Sequence, residues 1–308
     1  MIRWLIIFLC TMLAGCAKYK PQPISPAQTE KSFRARSLGD EKFHEFVKKN
    51  STNSPTSWPA KEYDFNLLTL AAFYFHPDLK LARARIQMAE AGAITAGERP
   101  NPTVSFTPEY ALNAEPSLSP WILGFNFDLP IETAGKRRHR ISHATNLVAA
   151  AKLSLYETAW KIRSQVRNAL LEYIFAQRAV ELFQRENEIR KNFVERLEQR
   201  LAVGDASRTE VDFARTELLN SQIAFRAVES RVIESKTALA SAIGIPTSAL
   251  DEIQLVWPAL NVPANAEKIS ASAVQSAGLL NRLDVRRSLA EYAAAETALQ
   301  LEIAKQYP

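Results

Sequence analysis

Apolar residues recur at heptad spacing late in the chain: Val211, Ala214, Leu218, Ser221, Phe225, Val228, Val232, Ser235, Leu239 and Ala242. Eight of these ten are apolar and the other two are small, so residues 207–243 are predicted to form a closely packed coiled-coil arm. The region before it is also helical in pattern. From Ile131 to Ile245 there is no proline, and the only glycines are Gly135, Gly204 and Gly244. A single helix over residues 136–202 would be roughly 100 Å long at about 1.5 Å per residue. The stretch Ala202-Val-Gly-Asp-Ala-Ser-Arg-Thr-Glu-Val211 is the turn between the two arms. Gly204 can end the first helix in the left-handed conformation, and Ser207 with Glu210 spells a capping box for the second. The expected unit is a long antiparallel αα-hairpin.

Two upstream segments alternate with period two. In the first, Val104, Phe106 and Tyr110 share one face, opposite Thr103, Ser105, Thr107 and Glu109. In the second, Trp121, Leu123, Phe125, Phe127 and Leu129 alternate with Ile122, Gly124, Asn126 and Asp128. A greasy aromatic face backed by a small or polar one, over about ten residues, suits a wall between lipid and water. Val104, Phe106, Tyr110, Trp121, Leu123, Phe125 and Phe127 are the expected lipid-facing set, with residues 112–120 as the hairpin tip. Pro108 places the first strand at an edge or bulge. Two strands cannot close a barrel, so several chains would have to contribute.

Before these strands, His76-Pro77-Asp78-Leu79 opens a helix running to about Gly97, preceded by a short amphipathic piece at residues 67–75. Residues 16–65 carry Pro21, Pro23, Pro26, Pro55 and Pro59 among polar residues and read as an extended tether without a core. Beyond Pro246 an irregular linker leads to a new helix near Ala271. That helix echoes the first at an offset of 206: Asp78 with Asp284, Ala84 with Ala290, Ala89 with Ala295, Glu90 with Glu296 and Pro102 with Pro308. Such a repeat fixes architecture. The domains expected are a signal at 1–15, the tether at 16–65, helix and strands at 66–130, the long hairpin at 131–245, and a linker with the start of a second repeat at 246–308.

Composition narrows the function. Only 9 of 308 residues are glycine, against about 21 at average usage, and no phosphate-cradling loop or dinucleotide fingerprint is present. The net charge of +5 is interspersed in sign along helical faces, without the aromatic-laced basic stripe of a nucleic-acid binder. The first fifteen residues join an early Arg3 to an apolar run too short to span a bilayer, the layout of an export signal. Leu13-Ala14-Gly15-Cys16 resembles the bacterial lipobox, which makes Cys16 the expected lipidation site and, with Ala17 following, the outer membrane the destination. Once Cys10 leaves with the signal, no thiol pair remains.

His139 and His143 are four apart and could reach one metal ion. Lys136, Arg137, Arg138 and Arg140 beside them oppose it, and the cluster reads instead as a solvated or headgroup-facing collar. Trp160 and Tyr173 are expected to be packing residues. No carboxylate pair suits acid–base work, so neither an enzyme, a cofactor nor a metal site is expected.

The lipobox, "HPDL", "NPTVSF", "PWILGFNFDLP", "ETAGKR" and "VGDAS" together resemble the TolC family of outer-membrane efflux proteins, across nearly all of the chain after the signal. The resemblance implies a mainly α fold with a small transmembrane β-hairpin. The long helices would line an α-barrel and the strands would join a trimeric β-barrel. It implies a homotrimer working as a passive conduit with a periplasmic adaptor and an inner-membrane pump, the tip residues Gly204, Asp205, Ala206 and Ser207 meeting the adaptor. The family's second strand pair and second long hairpin have no counterpart here, so a truncated or fragmentary chain is expected, and no gate residue can be assigned. A periplasmic adaptor, or a non-conducting lipoprotein that spaces the envelope layers, are the alternative readings.

Overall fold

The computed structural model describes residues 21, 23–51, 55, 57–112, 119–251, 253–257 and 271–308. Cys16, the export signal and the centre of the loop at 112–120 lie outside them. The helices are α1 (Pro26–Arg34), α2 (Glu41–Asn50), α3 (Phe65–Phe75), α4 (Pro77–Gly97), α5 (Lys136–Ala202), α6 (Arg208–Ile243), α7 (Ala271–Asn281) and α8 (Leu283–Ala304). The strands are β1 (Glu62–Tyr63), β2 (Thr103–Tyr110), β3 (Trp121–Asp128) and β4 (Gln254–Leu255).

The long axis is the α5–α6 hairpin. Every heptad position of α6 named above is buried or half-buried, so the sequence register is the packing register. α4 and α8 flank α5, tied to it by Lys152–Glu90 at 3.3 Å and Arg287–Glu157 at 3.0 Å. α6 and α4 meet end to end alongside α5, where Gly244 abuts His76. His76 caps α4 by accepting from the Asp78 amide at 3.2 Å, with Pro77 in the first turn. There its missing donor costs nothing.

The internal repeat is longer than its identities suggested. Adding 206 to both bounds of α3 gives those of α7, and adding it to the start of α4 gives the start of α8. Two consecutive helices therefore recur with one break between them.

The extended tether expected over residues 16–65 is corrected in its described part. Pro26 starts α1, and Asp40 caps α2 by accepting from the Lys42 amide at 2.8 Å. Leu38, Phe43, Val47 and Tyr63 are buried in the main core with Leu68 and Phe75 of α3, Ile162, Val166 and Leu170 of α5, and Leu239 and Ile243 of α6. Pro26 occupies a helix start, and the apolar spacing of Phe43 and Val47 on α2 requires burial. The Tyr63 hydroxyl donates to Leu38 O at 3.1 Å, and burial pushes its pKa up to about 12. β1 pairs in parallel with β4, Tyr63 opposite Leu255, a long-range pairing that such short strands do not advertise. The piece at 67–75 is also not amphipathic. α3 buries Leu67, Leu68, Thr69, Ala71, Ala72 and Phe75, as a helix apolar on all sides must.

Candidate functional site

β2 and β3 form an antiparallel ribbon whose register sorts the side chains. Val104 faces Phe127, Phe106 faces Phe125, Pro108 faces Leu123 and Tyr110 faces Trp121. On the other face are Thr103 with Asp128, Ser105 with Asn126, Thr107 with Gly124 and Glu109 with Ile122. All seven residues expected to meet lipid thus share one face, and all are exposed, Phe125 at 77%. Ring pairs reinforce the register, Phe106–Phe125 at 4.7 Å and Tyr110–Trp121 at 5.1 Å. Gly124 has a local reason: a Cβ there would lie 2.7 Å from Thr107 Oγ1. Pro108 sits within β2, and no third strand pairs with the ribbon among the described residues, so its missing amide is tolerated at an edge. An isolated two-stranded ribbon is marginal in water, and this one shows its apolar face to the outside.

The chain leaves β3 through two left-handed residues, Ala134 (φ 53°) and Gly135 (φ 74°), into α5. Arg137 and Arg138 of the expected collar are exposed, and three of its four cations also hold backbone carbonyls. Arg137 Nε donates to Gly97 O at 2.8 Å, while Arg140 donates to Ala96 O and Glu98 O, both at 2.8 Å. Lys136 Nζ donates to Tyr307 O at 2.6 Å. Arg137 and Arg140 therefore cap the C-terminal end of α4, where carbonyls lack partners and the helix dipole is negative, while Lys136 holds a carbonyl beyond the end of α8. Arg140 also pairs with Glu132, whose carboxyl it holds below the usual range. The histidines turn to α8: His143 Nδ1 lies 2.8 Å from Ala294 O and His139 Nδ1 3.1 Å from Gln300 Oε1.

At the far end, α5 closes in a Schellman turn. The Asp205 amide donates to Arg200 O at 2.8 Å and the Gly204 amide to Leu201 O at 3.0 Å, with Gly204 at φ 81°. The apolar contact usual in this motif is replaced by Arg200 Nε donating to Asp205 Oδ2 at 2.9 Å. The capping box is complete: the Glu210 amide donates to Ser207 Oγ at 3.2 Å and the Ser207 amide to Glu210 Oε2 at 2.7 Å. That amide holds the Glu210 carboxyl below its ordinary range. Gly204, Asp205 and Ser207 are exposed, while Ala206 packs on a small core of Val194, Leu197, Val211 and Ala214.

Tyr173 is packed as expected and accepts from Gln177 Nε2 at 2.9 Å. Trp160 is not packed: it is 63% exposed, with the Arg163 guanidinium 5.5 Å from its ring and 4.7 Å from Phe65. Sequence reasoning missed Arg36. Its Nη1 donates to Gly244 O at 2.5 Å and to Phe75 O at 3.4 Å, joining the ends of α6 and α3. Partners 208 and 39 residues away leave no local signal. Among the described residues no helix is long and apolar enough to cross a membrane, and no group of three or more metal-ligating side chains gathers.

The family model for outer membrane efflux proteins matches residues 74–245. Among solved structures, the outer membrane protein VceC from Vibrio cholerae is 22% identical, with 79% of this chain and 59% of that chain covered and a TM-score of 0.63. The outer-membrane channel OprN is 16% identical over 96% of this chain and 65% of its own, at 0.65. The Campylobacter jejuni CmeC outer membrane channel is 17% identical over 93% and 62%, at 0.61. The chain spans 59% to 65% of the length of these structures, and at such identities the likeness is one of fold. No curated protein matches the chain.

Proposed function

The chain belongs to the outer membrane efflux protein family, and on that premise we propose that it is a subunit of an outer-membrane efflux channel. The carrying observation is the ribbon, whose apolar face is exposed and which is joined by a short turn to a helix of 67 residues. Exposed apolar surface of that extent marks a lipid or protein partner. Val104, Phe106, Tyr110, Trp121, Leu123, Phe125 and Phe127 face lipid, and the Thr103, Ser105 and Thr107 face lines water.

Ribbons from the three copies of a homotrimer contribute to a closed wall, since closure satisfies every strand edge in a bilayer. Cys16 carries lipid that anchors the assembly to the outer membrane. The helical hairpins continue the conduit into the periplasm, where Gly204, Asp205, Ala206 and Ser207 meet an adaptor that couples it to an inner-membrane pump. Movement through it is passive, and the pump selects the solute.

Planar-bilayer recording of the purified oligomer tests the conduit. Discrete, stable conductance steps are expected. A folded, inserted oligomer that never conducts overturns the reading in favour of a structural spacer of the envelope. Palmitate labelling that survives Cys16→Ser would overturn the anchor alone.

A further inference from the structure

The interior of the α5–α6 hairpin is interrupted. One core lies at the joint, with Ile162, Val166 and Leu170 of α5 against Leu239 and Ile243 of α6. A separate core lies at the tip, around Val194, Leu197, Val211 and Ala214. Between them, no residue of 177–193 on α5 is fully buried, Val180, Phe183 and Asn187 being half-buried, and on α6 only Ser221 is fully buried between Ala214 and Ser235. Of the large apolar residues at this level, Leu182, Ile189, Leu219 and Ile223 are exposed, and Phe183, Phe225 and Val228 are only half-buried.

The fully enclosed atoms at this level include two polar ones without a partner. Asn187 Oδ1 and Ser221 Oγ are buried without a hydrogen-bond partner, Ser221 being only 6% exposed. Cross-hairpin ion pairs fix the level. Arg190 meets Glu217 at 3.2 Å and Arg231 meets Glu172 at 2.8 Å, which puts Asn187 and Ser221 within about one helical turn of each other. A buried polar group without a partner destabilises the packed state relative to an opened one in which water satisfies it. A polar layer in a coiled-coil seam also fixes register at a cost in stability. Helical stretches with few buried contacts are those that open locally.

We propose that residues 177–193 and 219–231 form a waist, centred on the Asn187–Ser221 layer, at which the hairpin opens so that the tip core moves as a unit relative to the joint. This places a built-in point of bending between the tip and the rest of the fold, independent of what the tip contacts.

Hydrogen exchange by mass spectrometry on the assembled protein in detergent reads the waist directly. Amides at 177–191 and 219–231 are expected to exchange at least tenfold faster than those at 162–174, 194–200 and 212–216. The double variant Asn187→Leu with Ser221→Val, which makes the layer apolar, is expected to slow waist exchange about tenfold and leave the tip and joint unchanged. Should that variant fail to fold, Ser221→Ala alone is expected to slow it about threefold. One continuous level of protection from joint to tip, or waist exchange that these substitutions leave unchanged or raise, overturns the proposal.

Discussion

Helix α6 is bounded by two glycine turns that obey the same local rule and live in opposite surroundings. At the tip, Gly204 stands at φ 81° with open space where a Cβ would go. At the joint, Gly244 stands at φ 85°, and a Cβ would lie 3.1 Å from His76 Cα and 3.3 Å from Phe75 O. Both are Schellman turns. In the second, the Ile245 amide donates to Ala240 O at 3.1 Å and the Gly244 amide to Ser241 O at 3.1 Å. The contact that finishes the motif differs. Ile245 and Ala240 are both buried at the joint, whereas Arg200 and Asp205 form an exposed ion pair at the tip. An exposed pair contributes little, and an apolar pair in the main core contributes much more. The glycines share a backbone requirement, but the neighbours decide how much depends on it.

Substitution at the joint is the strongest way to break the comparison. Gly244→Ala combines positive-φ strain with a backbone clash against the start of α4, and is expected to cost about 3 kcal/mol. Chemical unfolding in detergent followed by circular dichroism checks this, and a loss no larger than that of the tip variants would remove the distinction. Arg36→Met comes next. It keeps the aliphatic stem but leaves Gly244 O and Phe75 O without their donor, for an expected cost of about 1–2 kcal/mol. The same unfolding measurement reads it, and no loss of stability would show that these carbonyls do not need the clamp.

The tip is expected to yield least. Gly204→Ala meets only backbone strain, and Ser207→Ala removes one half of the capping box, each costing about 1 kcal/mol. Because tip opening is local, the loss registers as faster amide exchange around residues 203–210 rather than as a shifted global midpoint. Acid sharpens the contrast. The folded Glu210 carboxyl is depressed, so its cap contributes fully above the ordinary carboxylate range and is lost as pH falls through the depressed value. Exchange at the tip should therefore quicken on acidification. Glu210→Gln, which removes the titrating carboxyl, should abolish that response, and an unchanged acid response in the variant would discount the cap.

Much of this architecture is written in short-range chemistry. Heptad spacing placed the α6 seam, Gly204 and the Ser207–Glu210 box placed the tip, and alternation placed all seven apolar residues on one face of the ribbon. Each signal lies within a few residues of its effect, because helix and strand periods are local properties of the backbone. Only the tertiary structure decided the rest. Tyr63 pairs its strand with Leu255, Arg36 reaches Gly244, and Arg137 and Arg140 cap a helix that ended forty residues earlier. The proline-rich N-terminal segment became helix and core because buried partners from α3 and α6 existed for Phe43 and Val47. Trp160 stayed exposed, with the Arg163 guanidinium beside its ring. Periodicity names the face a residue occupies, and only the assembled neighbours determine whether that face is buried, capped or left exposed.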